Sequence, residues 1–214
     1  FMKLIDEVYQ QGKGVIVMVP EISLTPQTIG RFHKRYGNRV AVFHSALSMG
    51  ERLDEWKRVK NGQALIAVGT RSAVFAPFEH LGLIIMDEEQ EYTYKSESSP
   101  RYHAREVAKY RCAYHNALLV LASATPSLES YFMAENGRYS LESLPHRYGD
   151  AKLPEVIIAD MNEQLPTGNT TAFSNELVQA LEENLERKEQ SILLLNRRGY
   201  HTFVSCKHCG EVVT

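Results

Sequence analysis

Asp87, Glu88 and Glu89 follow directly on the apolar run Leu83-Ile84-Ile85-Met86, and Gln90 comes next. Three adjacent carboxylates repel one another, and two readings fit them alone. In the first, a strand of a parallel sheet delivers them to the edge where ligands of such folds bind. One carboxylate then holds Mg²⁺ while the next orients and deprotonates an attacking water. In the second, they form a solvated acidic turn after a strand.

Other apolar runs end in loops with a related chemistry. Val15 to Val19 leads into Pro20-Glu21-Ile22-Ser23-Leu24-Thr25-Pro26-Gln27, Ala64 to Val68 into Gly69-Thr70-Arg71-Ser72, and Ala117 to Ala122 into Ser123-Ala124-Thr125-Pro126. Hydroxyls, amides at helix starts and the Arg71 charge all bind phosphate. Singly each loop reads as an ordinary cap or turn; at successive strand ends they describe one phosphate-rich edge.

Aromatic and basic residues interleave right after the carboxylates, at Tyr92, Tyr94, Lys95, Arg101, Tyr102, His103 and Arg105. Aromatic faces stack bases while cations hold phosphates; rings in such a stretch equally cover a sheet edge. Cys206-Lys207-His208-Cys209 supplies half of a tetrahedral zinc site, and His208 sits between the two cysteines. The remaining cysteine, Cys112, falls on a predicted helix far along the chain, so no stable zinc is expected in this chain alone.

These groups need elements to position them. Short Val/Ile/Leu runs at Val15 to Val19, Val40 to Phe43, Ala64 to Val68, Leu81 to Met86 and Ala117 to Ala122 alternate with helical stretches. That pattern predicts an α/β fold with a parallel sheet buried on both faces. Phe1, Leu4, Ile5 and Val8 repeat with helical spacing, so the chain is expected to open inside a helix. Thr25-Pro26 and Thr125-Pro126 each place a capping hydroxyl before a proline suited to a first helical turn. Ser48 and Glu51 fit a capping box, Leu53 and Trp56 are expected to give that helix its buried face, and Asn61-Gly62 to end it. Pro145, Gly149 and Pro154 interrupt the pattern, which predicts a domain boundary near 144–154. Beyond it, Val156 to Ala159 and Ile192 to Leu195 read as buried strands. Ser174 to Lys188 reads as a helix with Leu177, Leu181 and Leu185 on one face.

The chain has 214 residues, 43% apolar and 23% charged, with a net charge of −2, enough to bury a core in one or two domains. So small a charge argues against a module binding nucleic acid through bulk positive charge, though a local groove needs none. No apolar run approaches membrane-spanning length, the start lacks a signal-peptide pattern, and three cysteines make no secreted disulfide framework. A cytoplasmic protein with reduced thiols is expected.

Taken in order, Val19 to Gln27, Gly69 to Pro77, Asp87 to Gln90, Ser123 to Pro126 and Leu195-Asn196-Arg197-Arg198-Gly199-Tyr200 resemble helicase motifs Ia, Ib, II, III and IV. Their spacing resembles the primosomal protein N′ (PriA) family of replication-restart DNA helicases over nearly the whole chain. That resemblance implies a RecA-like first lobe over residues 1–148 without its phosphate loop, the start of a second RecA-like lobe over 149–205, and the beginning of a zinc-binding insertion over 206–214. It implies ATP and Mg²⁺ as cofactors, zinc in the parent protein, and 3′ to 5′ movement on DNA. Asp87 would hold the Mg²⁺ of ATP and Glu88 would activate water. Gln90, Ser123 and Thr125 would couple nucleotide state to DNA. Thr25, Arg71, Tyr92, Tyr94, Lys95, Arg101, Tyr102 and His103 would contact DNA, and Cys206 and Cys209 would form part of a zinc site. Implied partners are single-stranded and forked DNA, a single-stranded DNA-binding protein and the loading machinery of the replicative helicase. The family's His at the fourth position of motif II is Gln90 here, which hydrogen-bonds but does not titrate.

The sequence contains no G-x-x-x-x-G-K-[ST] segment, which in that family precedes the opening helix, so the isolated chain is expected to bind ATP poorly and to lack ATPase activity. Three other readings share some of these residues. They are another superfamily 2 motor acting on RNA or DNA, a non-enzymatic module binding single-stranded DNA or a partner, and a metal-dependent nuclease built on Asp87, Glu88 and Glu89.

Overall fold

The computed structural model describes residues 1–145, 154–164, 173–194, 204–205 and 212–213. The chain divides into two compact units, Phe1–Ser143 and Leu144–Thr214.

The first unit is built on five parallel strands, β1 (Gly14–Met18), β2 (Val40–Phe43), β3 (Ile66–Gly69), β4 (Leu81–Met86) and β5 (Leu118–Leu121), in the order β2-β3-β1-β4-β5. The α/β parallel sheet expected from the sequence is therefore present. Because side chains alternate along a strand, the sheet feeds two cores. Val15, Val17, Ile66, Val68, Leu83 and Ile85 pack with Ile5 of α1 (Met2–Gln10) and with Phe32 and Tyr36 of α2 (Pro26–Tyr36). Ile16, Met18, Ala67, Ile84 and Met86 pack on the other face with Val59 of α3 (Met49–Lys60) and with Ala104, Ala108 and Cys112 of α4 (Ala104–His115). Cys112 is a free thiol whose burial pushes its pKa up to about 11, so it behaves as a small apolar residue.

Local signals explain most helix starts. The Thr25 hydroxyl accepts from the Thr28 N–H at 3.2 Å with Pro26 in the first turn, and Ser48 and Glu51 close the full capping box. Asn61 caps the end of α3, followed by Gly62 at φ 69°.

Some expectations fail for physical reasons. The helix after Thr125-Pro126 is α5 (Leu128–Glu135), and Ser127 caps it, accepting from the Ser130 N–H at 3.3 Å. The α3 residues Leu53 and Trp56 are 50% and 43% exposed. The helix meets edge strand β2 instead through Val59 and through Glu55, whose carboxylate accepts from the Val42 N–H at 3.0 Å and is held by Arg58. An edge strand has free N–H groups, and here a carboxylate caps one.

In the second unit, α6 spans Met161–Gln164 and α7 spans Asn175–Glu186, with Ser174 as its cap, while β6 (Val204–Ser205) and β7 (Val212–Val213) pair antiparallel. Val156 to Ala159 and 192–194 form no strand. Ile158 is 92% and Ile192 97% exposed, because neither segment has a pairing neighbour among the described residues. No residue of α7 is fully buried; of its leucine face Leu181 is half-buried, while Leu177 and Leu185 are exposed. No helix among the described residues is long and apolar enough to cross a membrane.

Candidate nucleotide and strand-binding edge

All five strands of the first unit deliver their C-terminal ends to one edge, and the ladder continues one residue beyond them. Asp87 N–H donates to the Met18 carbonyl at 2.9 Å, Val19 N–H to Gly69 at 3.0 Å and Ala122 N–H to Met86 at 2.9 Å. Gly69 permits the close approach there, since a Cβ would fall 2.1 Å from the Phe43 carbonyl oxygen.

The three acids then part. Asp87 is half-buried; burial pushes its carboxyl up and the neighbouring Glu88 charge adds to the effect, while the Glu88 N–H, donating to Oδ1 at 3.1 Å, opposes it. A carboxylate in that state is an oxygen donor whose charge a hard divalent cation would stabilise. Among the described residues no group of three or more His, Cys, Asp or Glu side chains is placed to hold a metal by itself, so a cation here would need ligand oxygens as well. Glu88 has φ 47°, a left-handed conformation costing a non-glycine residue about 1–3 kcal/mol.

Glu89 turns inward and is 2% exposed. Oε1 accepts from the Ser127 N–H at 2.7 Å; Oε2 accepts from Arg105 Nη1 at 3.0 Å and from the hydroxyls of Ser130 at 2.9 Å and Ser127 at 3.2 Å. Burial opposes its charge, but these donors outweigh burial and hold the carboxyl below its ordinary range. Glu89 is buried and already takes four protein donors, a charge-satisfied setting that gives a metal little to add, which weakens the reading of all three acids as a two-metal nuclease centre.

Gln90 bridges the turn to the next loop. Its Nε2 donates to Glu88 Oε2 at 2.7 Å, and its Oε1 accepts from the Ser123 hydroxyl at 2.6 Å. Ser123 Oγ in turn accepts from the Thr125 N–H at 2.8 Å. Glu88, Gln90, Ser123 and Thr125 thus form one continuous relay. Because an amide supplies a donor on one side and an acceptor on the other, it makes both bonds without titrating.

On the other side of the edge, a cleft of about 510 Å³ opens beside the ends of β1, β2 and β3. Arg71, Tyr92, Lys95 and Tyr102 line it, as do His44 and Ser45 of the loop after β2 and Arg52 of the first turns of α3, which sequence reasoning missed because neither stretch carries a ligand-binding motif. Arg52 is aimed by the carbonyls of Ser45 at 2.7 Å and Leu47 at 3.0 Å. Tyr92 is 78% exposed and free to stack. Arg71 is occupied in part: it donates to the Thr93 carbonyl at 3.2 Å and to that of Lys95, and lies 5.8 Å from the centre of the Tyr102 ring.

Two residues expected to touch DNA are placed for other work. Tyr94 is 1% exposed, and its hydroxyl donates to the Asp87 carbonyl at 2.7 Å, so its ring offers no stacking face. His103 caps α4, its Nδ1 accepting from the Arg105 N–H at 3.2 Å; burial, with the Arg105 charge, lowers its pKa and favours the neutral ring that such a cap needs. Thr25, as a cap of α2, and Arg101, donating to the Glu97 carbonyl at 3.3 Å, are exposed but outside the cleft lining. Arg197, Arg198, Tyr200, Cys206, His208 and Cys209 lie outside the described residues.

The DEAD/DEAH box helicase family matches residues 1–133. Replication restart protein PriA of Bacillus subtilis is 52% identical over 212 residues, 99% of this chain and 26% of that protein. The Synechocystis protein of the same name is 47% identical, over 95% of this chain and 25% of its own length, and the Haemophilus influenzae one 40%, over 99% and 29%. The chain thus spans between a quarter and a third of the length of these relatives. It belongs to the DEAD/DEAH box helicase family and, along nearly its whole length, is similar to one segment of the PriA replication restart proteins.

Proposed function

We propose that this chain is part of an ATP-dependent DNA helicase acting in replication restart, and that the strand-end edge couples ATP hydrolysis to movement on single-stranded DNA. The observation that carries the reading is the relay from Glu88 through Gln90 to Ser123 and Thr125, because a motor needs a physical link between its hydrolytic group and its loops. Asp87 would hold the metal of Mg²⁺-ATP, which would supply charge neutralisation when bound. Glu88 orients and deprotonates the attacking water. Tyr92, Lys95, Tyr102 and Arg71 in the cleft, with Thr25 and Arg101 nearby in sequence to its walls, take the strand. Polarity is 3′ to 5′.

In this reading residues 1–148 are the first motor lobe without its phosphate loop, 149–205 begin the second lobe, and 206–214 begin a zinc-binding insertion in which Cys206 and Cys209 are two ligands. The chain by itself then has negligible ATPase activity. The whole protein works in the cytoplasm on forked DNA, with a single-stranded DNA-binding protein and the replicative helicase loading machinery as partners. A second reading, a strand-binding module without nucleotide chemistry, draws on the same cleft.

The test is ATP hydrolysis by the full-length protein with and without single-stranded DNA or RNA. Stimulation by DNA supports the proposal. Stimulation by RNA alone assigns an RNA motor, and DNA binding without any hydrolysis assigns the binding module.

A further inference from the structure

The third carboxylate has no role in the reaction just described, yet its surroundings are built with care. Glu89 grips both ends of the loop that carries Ser123 and Thr125. Its backbone N–H donates to the Ala122 carbonyl at 3.0 Å, at the start of that loop, and its carboxylate takes the Ser127 N–H at 2.7 Å, at the end. Gln90, the next residue, reaches the loop's middle through Ser123.

Arg105 extends the same clamp to the aromatic segment. Its Nη1 sits 3.0 Å from Glu89 Oε2 and 2.9 Å from each of the Ser127 and Ser130 hydroxyls. It belongs to the first turn of α4, just past His103, which pairs with Lys95 across the base of the segment bearing Tyr92 and Tyr94. Carboxylate turn, Ser-Ala-Thr loop and aromatic segment therefore meet at one buried carboxylate.

We infer that Glu89 is a positioning residue that fixes the shape of the 122–127 loop and so sets how tightly hydrolysis is coupled to strand movement. The inference rests on the helicase reading above. The backbone N–H of Ser127 and the guanidinium of Arg105 can only donate, so they require an acceptor, and an ionised carboxylate is the one side chain that satisfies them together with two hydroxyls. Catalytic groups stay productive only when the shell behind them holds them to fractions of an ångström. A loop gripped at both ends and touched in the middle meets that requirement; a loop gripped only at Ser123 does not.

The experiment uses the full-length protein carrying Glu89→Gln, which keeps the shape of the side chain but offers an amide N–H₂ where a donor already points. Two quantities are measured: amide hydrogen exchange in the peptide covering 122–130, and base pairs unwound per ATP hydrolysed. The expected result is exchange faster by about tenfold or more, as losing a charged hydrogen bond implies. With it, unwinding per ATP should fall by about tenfold or more, as displacement of a coupling loop implies. Unchanged exchange overturns the inference, because Glu89 then does not hold the loop. Faster exchange with wild-type unwinding per ATP also overturns it, because the loop's shape then does not set coupling. Should Glu89→Gln fail to fold, Arg105→Lys, which keeps the charge and gives up the planar fork, is judged by the same two quantities. A wild type without DNA-stimulated hydrolysis refutes the helicase reading instead, and the exchange measurement still decides whether Glu89 holds the loop.

Discussion

The sheet edge has an open half and a closed half. At the ends of β1, β2 and β3 the loops surround a cleft of about 510 Å³, and side chains such as Tyr92 and Lys95 keep free faces. At the ends of β4 and β5 the polar groups are spent on one another: four donors on Glu89, and a relay running from Glu88 to Thr125. One row of strand ends thus does two kinds of work. Free groups select for what they bind, and saturated groups select for where their neighbours stand.

The largest expected effect falls on the closed half. Glu89→Ala leaves Arg105 buried without its carboxylate and should cost about 3–5 kcal/mol in a urea unfolding experiment. A loss below 1 kcal/mol would place the pair with surface ion pairs and break the contrast. The same carboxyl should give acid sensitivity. Its pKa in the folded chain is held below the ordinary value of 4.5, so its contribution is complete above that value and disappears as pH falls through the folded value. The stability gap between wild type and Glu89→Gln should accordingly narrow below about pH 4.5, and a constant gap would mean that charge is not what the site uses.

On the open half, Tyr92→Ala should weaken binding of single-stranded DNA by the full-length protein by about 1–3 kcal/mol, the value of one stacked base, with folding unchanged. Fluorescence anisotropy at fixed salt reads this directly. Tyr94→Phe sharpens the comparison, since the two tyrosines are neighbours in one segment. Removing the hydroxyl that serves the Asp87 carbonyl should cost stability of about 1 kcal/mol and leave DNA affinity as it was. If Tyr94→Phe lowers affinity more than Tyr92→Ala, the two halves have been assigned the wrong way round.

Much of this was legible in residue order. Strands buried on both faces read as unbroken apolar runs, and β2 and β4 appear at the bounds the sequence suggests, Val40–Phe43 and Leu81–Met86. Caps at Thr25 and Ser48 were legible because their partners sit three residues away. The cap of α5 was not: Thr125, Pro126 and Ser127 all suit a helix start, and the Glu89 carboxylate holding the Ser127 N–H decides among them. Nor could periodicity separate Tyr92 from Tyr94, because the segment is a short 3-10 turn with Lys95 bridged to His103 rather than a helix or strand with a fixed face. Glu89 was the hardest to read. Its partners lie 16 to 41 residues away, and no local pattern marks one of three consecutive acids as the one that turns inward.

In the proposed reading adjacent carboxylates divide the labour, Glu88 for chemistry and Glu89 for architecture. Glu88→Gln in the full-length protein tests it most directly, with DNA-stimulated ATP hydrolysis and the melting temperature measured on the same sample. Turnover should fall by about 10²-fold or more, as for removal of a general base, with the melting temperature unchanged. Wild-type turnover, or a fall in melting temperature that accounts for lost activity, would contradict that reading.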